Sequence, residues 1–329
     1  MDPRIEAASN FLLQSPPGEI NDVLNDVRSI ISDDDLLKDG ILPALREYNL
    51  AQFSVVDVPG ADHQSIISEA ARVPTLEGVE EDEQRFLDPR SKTSFVFNHI
   101  GLEASDPQSV EPDPDAEPFR HALETALLSY LSSHFLDGVG SVFATPGTPN
   151  HFVIQIVANK YNAPNYWSGR WRSEYVVDLN ENQVTGRILV HVHYYEQGNV
   201  SIISLFSPHP SEKKLTVSFP FAFLSPRNQT IRAHQVQLAT THNLSLTLPP
   251  AVVTASAGAA ASKILALIGE EEGTYQKSLN ETYYEMGEKT FKGLRRALPM
   301  TRQKIDWDKV LGYKLGAELT SSKGVFGSA

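Results

Sequence analysis

Apolar residues near the N-terminus recur every three or four positions, the spacing of one face of an α-helix. The first stripe consists of Ile5, Ala8, Phe11 and Leu12, and the second of Ile20, Val23, Leu24, Val27 and Ile31. Ser15-Pro16-Pro17-Gly18 breaks the chain between them, and Asp33–Asp35 suit the N-terminus of a third helix because carboxylates are favoured there. The pattern predicts a helical segment over residues 1–50.

The middle of the chain changes to a strand pattern. Residues 51–116 are predicted as a mixed central region with acidic loops, containing strand-like pieces at Phe53–Val58 and Ser94–Asn98. Residues 117–250 are predicted as a helix, Phe119–Phe135, followed by strands. These strands, separated by turn signals, are Ser141–Ala144, His151–Asn159, Arg170–Asp178, Gly186–Glu196 and Asn199–Phe206. Their connections are too short for crossover helices, which predicts an antiparallel meander. Within this range, Ser207–Pro250 shows no clear period and is predicted to be irregular.

A long helix is predicted over residues 251–298, where the helical signal is strongest. Its apolar stripe consists of Leu265, Ile268, Tyr275, Leu279 and Met286. At about 1.5 Å per residue, a helix of this length spans roughly 60 Å, so we expect it to lie across the sheet. Pro299 ends it, and residues 299–329 form a separate tail. The predicted fold class is α+β, with helical N-terminal and C-terminal segments around an antiparallel sheet.

Charge is distributed unevenly along the chain. The formal net charge is −13, yet the run from Lys289 to Lys304 contains six Lys or Arg residues and no acid. The first 125 residues carry a net charge of −17, and the remainder carry +4. A short basic segment on an acidic chain indicates a binding surface for a negatively charged partner.

The sequence offers little chemistry for catalysis or a cofactor. It contains no cysteine, P-loop, nucleophile elbow or H-E-x-x-H motif, so we expect no enzyme activity, metal or cofactor. His191 and His193 share one face of a predicted strand, but two imidazoles without a third ligand favour a polar strand face over a metal site. In the aromatic and basic segment Asn165–Arg172, we expect the Trp rings to pack and Arg170 and Arg172 to pair with carboxylates, rather than to stack nucleic-acid bases.

The basic run extends over two elements of the tail. Lys289, Lys292 and Arg296 share one helical face, with Arg295 beside them, and Arg302 and Lys304 continue the charge past Pro299. Asp306 then suits the cap of a shorter helix. That helix has an apolar stripe made of Trp307, Val310, Leu311, Leu315 and Leu319. On spacing alone, this element is either a partner-binding helix or a final helix docked on the chain's own core.

Four blocks of sequence resemble the α subunit of the heterodimeric F-actin capping protein. They occur in the family's order and are LLQSPPGEINDVLNDVR from Leu12, NYWSGRWRS from Asn165, HVHYYEQGNV from His191 and KTFKGLRRALPMTRQKIDW from Lys289. The resemblance implies an N-terminal helical stalk, a sheet joined edge to edge with that of a β subunit in an obligate heterodimer, and a long helix across the joint sheet. It also implies that the C-terminal tentacle, residues 299–329, binds the barbed end of an actin filament and blocks subunit addition and loss.

The resemblance places the basic actin contacts on Lys292, Arg296, Arg302 and Lys304, and it extends to inhibition by acidic phosphoinositides at the same patch. Together with the spacing argument, the expected actin-binding residues are Lys289, Lys292, Arg295, Arg296, Arg302, Lys304, Trp307, Val310, Leu311 and Leu315. Two segments depart from the family pattern: Ser207–Pro250, and the end of the chain past Glu318.

The alternative function is a module that binds anionic lipid or nucleic acid through the same basic patch; the capping interpretation expects no nucleic acid. The N-terminus lacks the apolar core of a signal peptide, and no apolar run approaches the roughly 18 residues that a membrane span needs. These absences favour a location inside the cell, and the resemblance implies the cytoplasm, at cortical sites of the actin cytoskeleton.

Overall fold

A computed structural model of the chain describes residues 2–74, 84–162, 167–196, 215–218 and 234–285. The helices in these ranges are α1 Pro3–Leu13, α2 Ile20–Ile31, α3 Asp34–Ala51, α4 Glu117–His134, α5 Pro250–Val253 and α6 Ala257–Glu285. The strands are β1 Ser54–Asp57, β2 Gln64–Ile67, β3 Arg85–Asp88, β4 Thr93–Asn98, β5 Glu103–Ser109, β6 Gly138–Ala144, β7 His151–Asn162, β8 Trp167–Asp178, β9 Gln183–Glu196, β10 Leu215–Ser218 and β11 His234–Thr247.

The first three helices form the predicted N-terminal helical segment, and the apolar stripes explain their packing. Asp2 caps α1 by accepting the backbone N–H of Arg4 at 2.9 Å, and Pro3 occupies the first turn, where no helical donor is needed. The buried residues of both stripes meet α3 in one apolar cluster, made of Ile5, Ala8, Leu12, Ile20, Leu24, Val27, Ile41, Leu45 and Tyr48. The Tyr48 hydroxyl also donates to the Pro16 carbonyl at 3.1 Å, which ties α3 to the break between α1 and α2.

The central sheet is antiparallel throughout, and in the described residues its strand order is β10-β11-β9-β8-β7-β6. Strands β6 to β9 pair in chain order, which confirms the predicted meander and the α+β class with antiparallel sheets. Two smaller antiparallel sheets, β1-β2 and β3-β4-β5, precede it in the chain. The strand predicted over Asn199–Phe206 lies outside the described residues.

The prediction of an irregular segment over Ser207–Pro250 is wrong for the residues of β10 and β11. Strand β11 pairs with β9 along its whole length, from the pair His234–Glu196 to the pair Thr247–Gln183. The many Ser and Thr residues obscured an alternation that the sequence does contain, with Val236, Leu238, Leu244 and Leu246 at even positions. Leu244 is buried and its neighbours Asn243 and Ser245 are exposed, as expected for a strand with one covered face.

The two faces of the central sheet carry different neighbours. On one face, Gln155 of β7 accepts the Ser68 hydroxyl at 2.7 Å, and Arg172 of β8 donates to α3. Tyr175 and Ser173 of β8 point to the opposite face because side chains alternate along a strand, and there they contact Glu272 of α6. The sheet therefore lies between the N-terminal elements and a helical layer.

The predicted long helix is present as α6, which begins at Ala257; the part predicted from residue 286 to Leu298 lies outside the described residues. The chain divides into two compact units, Met1–Gly273 and Thr274–Ala329, and α6 is continuous from the first into the second. In the second unit, the described residues are the last turns of α6, where the Ser278 hydroxyl donates to the Tyr275 carbonyl at 2.8 Å. Among the described helices, none combines the length and the hydropathy required to cross a bilayer.

Candidate functional site

All ten residues predicted to bind actin lie outside the described residues. They are Lys289, Lys292, Arg295, Arg296, Arg302, Lys304, Trp307, Val310, Leu311 and Leu315, and the structure describes the chain only as far as Glu285. Their arrangement therefore stays a prediction. The described element that precedes them is α6, and the contacts that hold this helix are the part of the site that the structure defines.

The buried face of α6 contains one acid in an apolar stripe. Ala261, Ile264, Leu265, Ile268 and Tyr275 are buried at helical spacing. Position 272 completes the same stripe and is occupied by a glutamate whose exposed fraction is 1%. The apolar stripe predicted from the sequence runs directly from Ile268 to Tyr275 and does not include position 272. An acid that fills the gap between two apolar positions is the signal that could have identified it.

Three hydroxyl groups converge on the carboxylate of Glu272. The Tyr130 hydroxyl of α4 donates to Oε2, and the Tyr175 hydroxyl of β8 donates to Oε1. The Ser173 hydroxyl, also on β8, donates to Oε1 at 3.1 Å. These four side chains, which we call the Glu272 network, join α4, β8 and α6. Both carboxylate oxygens are satisfied, as a buried polar group requires.

Burial controls the protonation of the Glu272 network. It raises the pKa of Glu272 above its usual range, and the three hydroxyl donors oppose that shift by stabilising the carboxylate. Burial, reinforced by the charge of Glu272, raises the pKa of both Tyr130 and Tyr175. The two tyrosines therefore remain protonated donors across the physiological pH range.

Two glycines make room for the tyrosine rings of this network. A Cβ atom at Gly186 of β9 would lie 2.3 Å from Cδ1 of Tyr175, and one at Gly269 of α6 would lie 2.9 Å from Cε2 of Tyr130. Both distances are shorter than a carbon–carbon contact allows. The absence of a side chain at these two positions thus permits both rings to reach the carboxylate.

Two arginines of β8 hold the end of α3. Arg172 donates to the carbonyl of Ala51, the last residue of α3, and Arg170 donates to the carbonyl of Gln52 at 3.1 Å. These carbonyls lie at the negative end of the helix, where cations are favoured. Arg170 also donates to Asn159 Oδ1 at 2.7 Å.

The predicted pairing of Arg172 with a carboxylate is wrong, since its hydrogen bond goes to a main-chain carbonyl. Burial, followed by repulsion from Arg170, lowers the pKa of Arg172 to about 10. The sequence could not indicate this partner because a main-chain acceptor carries no residue type.

A cleft of about 580 Å³ lies beside α4, lined in part by Lys92, Glu117, Arg120 and Glu124. Arg120 is buried between two acids, 2.6 Å from Glu117 and 3.1 Å from Glu124. Its hydrogen bond lowers the pKa of Glu117, so that carboxylate is held in its charged form. Because these two acids already neutralise Arg120, its charge does not favour an anionic ligand in the cleft.

Among the described side chains, no three His, Asp or Glu residues are grouped so that they could hold a metal ion. The side chain of His193, half of the histidine pair considered above, lies outside that description.

Comparison with protein families gives one match over nearly the whole chain. The family described as F-actin capping protein alpha subunit matches residues 8–221 and 233–318. The second range includes all ten predicted actin-binding residues. The unmatched segment 222–232 is shorter than the departure from the family pattern predicted over 207–250. The match ends at residue 318, the point past which the sequence was also expected to depart from the family.

Individual relatives also match nearly the whole chain. The chain is 34% identical to the F-actin-capping protein subunit alpha of Caenorhabditis elegans over 326 residues, covering 96% of this chain and 97% of the relative. It is 34% identical to that of Emericella nidulans (97% and 98% covered) and 30% identical to that of Dictyostelium discoideum (96% and 97% covered). The homodimeric actin capping protein alpha subunit from Plasmodium berghei has a similar fold, with a TM-score of 0.58 at 15% identity over 91% of this chain and 98% of that one.

Proposed function

This chain belongs to the F-actin capping protein alpha subunit family, and we propose that it caps the barbed ends of actin filaments as one subunit of a heterodimer. In this role it blocks the addition and loss of actin subunits and catalyses no reaction. The observation that carries the proposal is the family match over 233–318, because that range contains the whole basic run and the apolar stripe after it except its last residue, Leu319.

The proposed partner is a capping protein β subunit, joined to this chain through the edge of the central sheet. In the described strand order, β10 stands at one end of the central sheet and β6 at the other. An open sheet edge is a template for pairing with another chain. We further propose that α1–α3 form the stalk and that residues 299–329 form the tentacle that meets actin.

The basic and apolar parts of the tail have different proposed roles. Exposed ion pairs contribute only about 0–1 kcal/mol each, so six charges do not account for tight capping. They accelerate the encounter with an acidic filament end, while the apolar stripe around Trp307 and Leu311 determines how long the complex lasts. Acidic phosphoinositides would compete for the same charges, and the proposed location is cortical actin in the cytoplasm.

The test is co-expression with a β subunit, followed by elongation of actin from barbed-end seeds. We expect a stable heterodimer that stops elongation at substoichiometric amounts relative to actin. The chain expressed alone is the control, since the Plasmodium berghei protein is described as homodimeric. A stable heterodimer that leaves elongation unchanged would refute the capping function. Binding of the isolated chain to anionic liposomes or oligonucleotides, without capping, would favour the alternative module.

A further inference from the structure

The ring of His63 lies between two carboxylates. Its Nδ1 is 2.9 Å from Oδ1 of Asp62, in the turn between β1 and β2, and its Nε2 is 2.9 Å from Oδ2 of Asp88, at the end of β3. An ionised carboxylate only accepts hydrogen bonds, so each contact requires a proton on the ring nitrogen. A neutral imidazole has one N–H group and an imidazolium has two. Both contacts are therefore hydrogen bonds only when His63 is protonated.

The two carboxylates differ in their access to water. The Asp88 side chain is 2% exposed, and it also accepts the Ser91 hydroxyl and the backbone N–H of Arg90. The Asp62 side chain is 89% exposed. When the ring loses a proton, one carboxylate loses its donor, and this costs least where water replaces the hydrogen bond. The neutral ring therefore keeps its N–H group on Nε2, toward Asp88, and Asp62 turns away.

Arg90 offers Asp62 a second partner. It belongs to the turn between β3 and β4, and its guanidinium is 4.0 Å from Oδ1 of Asp62. The hydrogen bond from His63 and, after it, the charge of Arg90 lower the pKa of Asp62, so this carboxylate remains ionised with either partner. The charged groups that face the ring are thus Asp62 and Asp88, with Arg90 beyond Asp62.

We propose that His63 is a pH-sensitive switch at the contact between the β1–β2 turn and the β3–β4 turn. The protonated ring donates to both Asp62 and Asp88, and the neutral ring donates to Asp88 alone and releases Asp62 to Arg90 and water. A histidine ring ordinarily titrates near pH 6.5, so this exchange of partners falls in the physiological range.

The contact between the two turns weakens as the pH rises through that range. The buried hydrogen bond to Asp88 loses the charge of its donor, and charge-assisted hydrogen bonds are about twice as strong as neutral ones. The pair of Asp62 with Arg90 that forms instead is exposed, and exposed ion pairs contribute little. Local spacing could not indicate this switch, since Asp88 follows His63 by 25 positions.

The first measurement follows the protonation of His63 by NMR in the heterodimer with the β subunit. The histidines are isotope-labelled at Cε1, and the signal of His63 is the one that His63→Gln removes. We expect this signal to titrate between about pH 5.5 and about pH 8.5. Asp62→Asn should lower the midpoint by about half a pH unit, because it removes an exposed negative charge. Arg90→Ala should raise the midpoint, because it removes a competing cation.

His99 is the matched control for this titration. Its ring is also enclosed, but by the rings of Phe86 and Phe97 rather than by carboxylates. Burial lowers the pKa of His99 to about 4, so the ring is neutral throughout the range of the experiment. The His99 signal, assigned from its loss in His99→Gln, should stay constant while that of His63 moves.

The second measurement is amide hydrogen exchange of residues 58–63, corrected for the intrinsic dependence of exchange on pH. In the parent, the protection of this turn should fall about fivefold between about pH 6 and about pH 8, the range in which the ring loses its proton. His63→Gln has a neutral donor at both pH values, so its protection should be the same at both.

A His63 signal that does not titrate in this range, or a midpoint that Asp62→Asn leaves unchanged, would overturn the switch at the ring. Titration of the ring with constant protection of the turn would overturn its effect on the contact.

If His63→Gln does not fold, the other two variants decide the matter. The His63 signal is then the one whose midpoint Asp62→Asn lowers and Arg90→Ala raises, and the fall in protection should move to the same pH as the midpoint in each. A fall that stays at the parent's pH in both variants would overturn the proposal. These outcomes involve no actin, so they are independent of the proposed function.

Discussion

At the scale of single residues, the Glu272 network depends on neighbouring glycines as well as on its own side chains. Gly186 lies beside the ring of Tyr175, and the ring occupies the volume that a side chain at this position would need. From that ring position the tyrosine hydroxyl donates a hydrogen bond to Glu272. A single methyl group is therefore expected to disturb the contact between β8 and α6.

Gly186→Ala should destabilise the heterodimer by about 1–3 kcal/mol, the usual cost of forcing extra volume into a packed core. The ring of Tyr175 must move, and its hydroxyl then leaves Glu272. Thermal unfolding of the purified heterodimer measures the effect.

The matched control is Gly273→Ala in α6, where a Cβ atom would meet nothing within 4 Å. Alanine is favoured over glycine inside a helix by up to about 1 kcal/mol, so this variant should melt at the same or a higher temperature. An equal drop in melting temperature for the two variants would contradict the steric argument at Gly186.

At the scale of elements, the junction between α3 and the central sheet is made by side chains from the middle of a strand. Arg170 and Arg172 are both buried, and their donors meet main-chain carbonyls at the end of α3. The sequence segment that contains them resembles a nucleic-acid stacking motif by composition. The structure instead shows these two arginines fastening one element to another.

Arg172→Ala should lower the stability of the heterodimer by about 1–3 kcal/mol, because it removes a buried side chain and the hydrogen bond that it donates to the Ala51 carbonyl. Arg4→Ala provides the comparison, since Arg4 forms an exposed ion pair with Asp2. The stability lost in this variant should lie within experimental error. Denaturant unfolding of both variants is the measurement. A loss for Arg4→Ala as large as that for Arg172→Ala would show that burial does not determine the effect.

At the scale of the whole molecule, charge separates the acidic N-terminal part of the sequence from the basic run that begins at Lys289. The chain as a whole carries −13, so attraction to a negatively charged partner must come from a local surface. Such attraction is screened within about 10 Å at 0.1 M salt, which makes ionic strength the natural variable for a test.

Lys292→Ala combined with Arg296→Ala should slow association with barbed ends, and the difference from the parent should be largest at low salt. Electrostatic steering raises association rates from about 10⁵–10⁶ toward 10⁸ M⁻¹s⁻¹, so the loss should exceed tenfold only when screening is weak. Seeded elongation assays over a series of salt concentrations give the rates.

The control combines Lys263→Ala with Lys277→Ala, which removes the same charge from exposed positions of α6 outside the basic run. This variant should change the association rate less. An association rate for the Lys292 and Arg296 variant that equals the parent's at every salt concentration would refute the division of roles within the tail.

The sequence by itself determined the features that depend on local spacing. The stripes beginning at Ile5 and Ile20 predicted the first two helices, and the strand pattern from Ser141 to Glu196 predicted the meander, because periods of 3.6 and 2 are properties of neighbouring residues. The resemblance of four sequence blocks to a family agreed with the family match. The tail residues that are expected to bind actin rest on sequence alone.

Only the tertiary structure decided how distant positions meet. Tyr130 and Tyr175 reach Glu272 across 142 and 97 positions of sequence, and Arg172 reaches Ala51 across 121. It also revealed β11, whose run of Ser and Thr residues becomes a strand by pairing with β9. Hydrogen bonds of this kind depend on the geometry of the folded chain, and no local period encodes which partner a buried polar group will find.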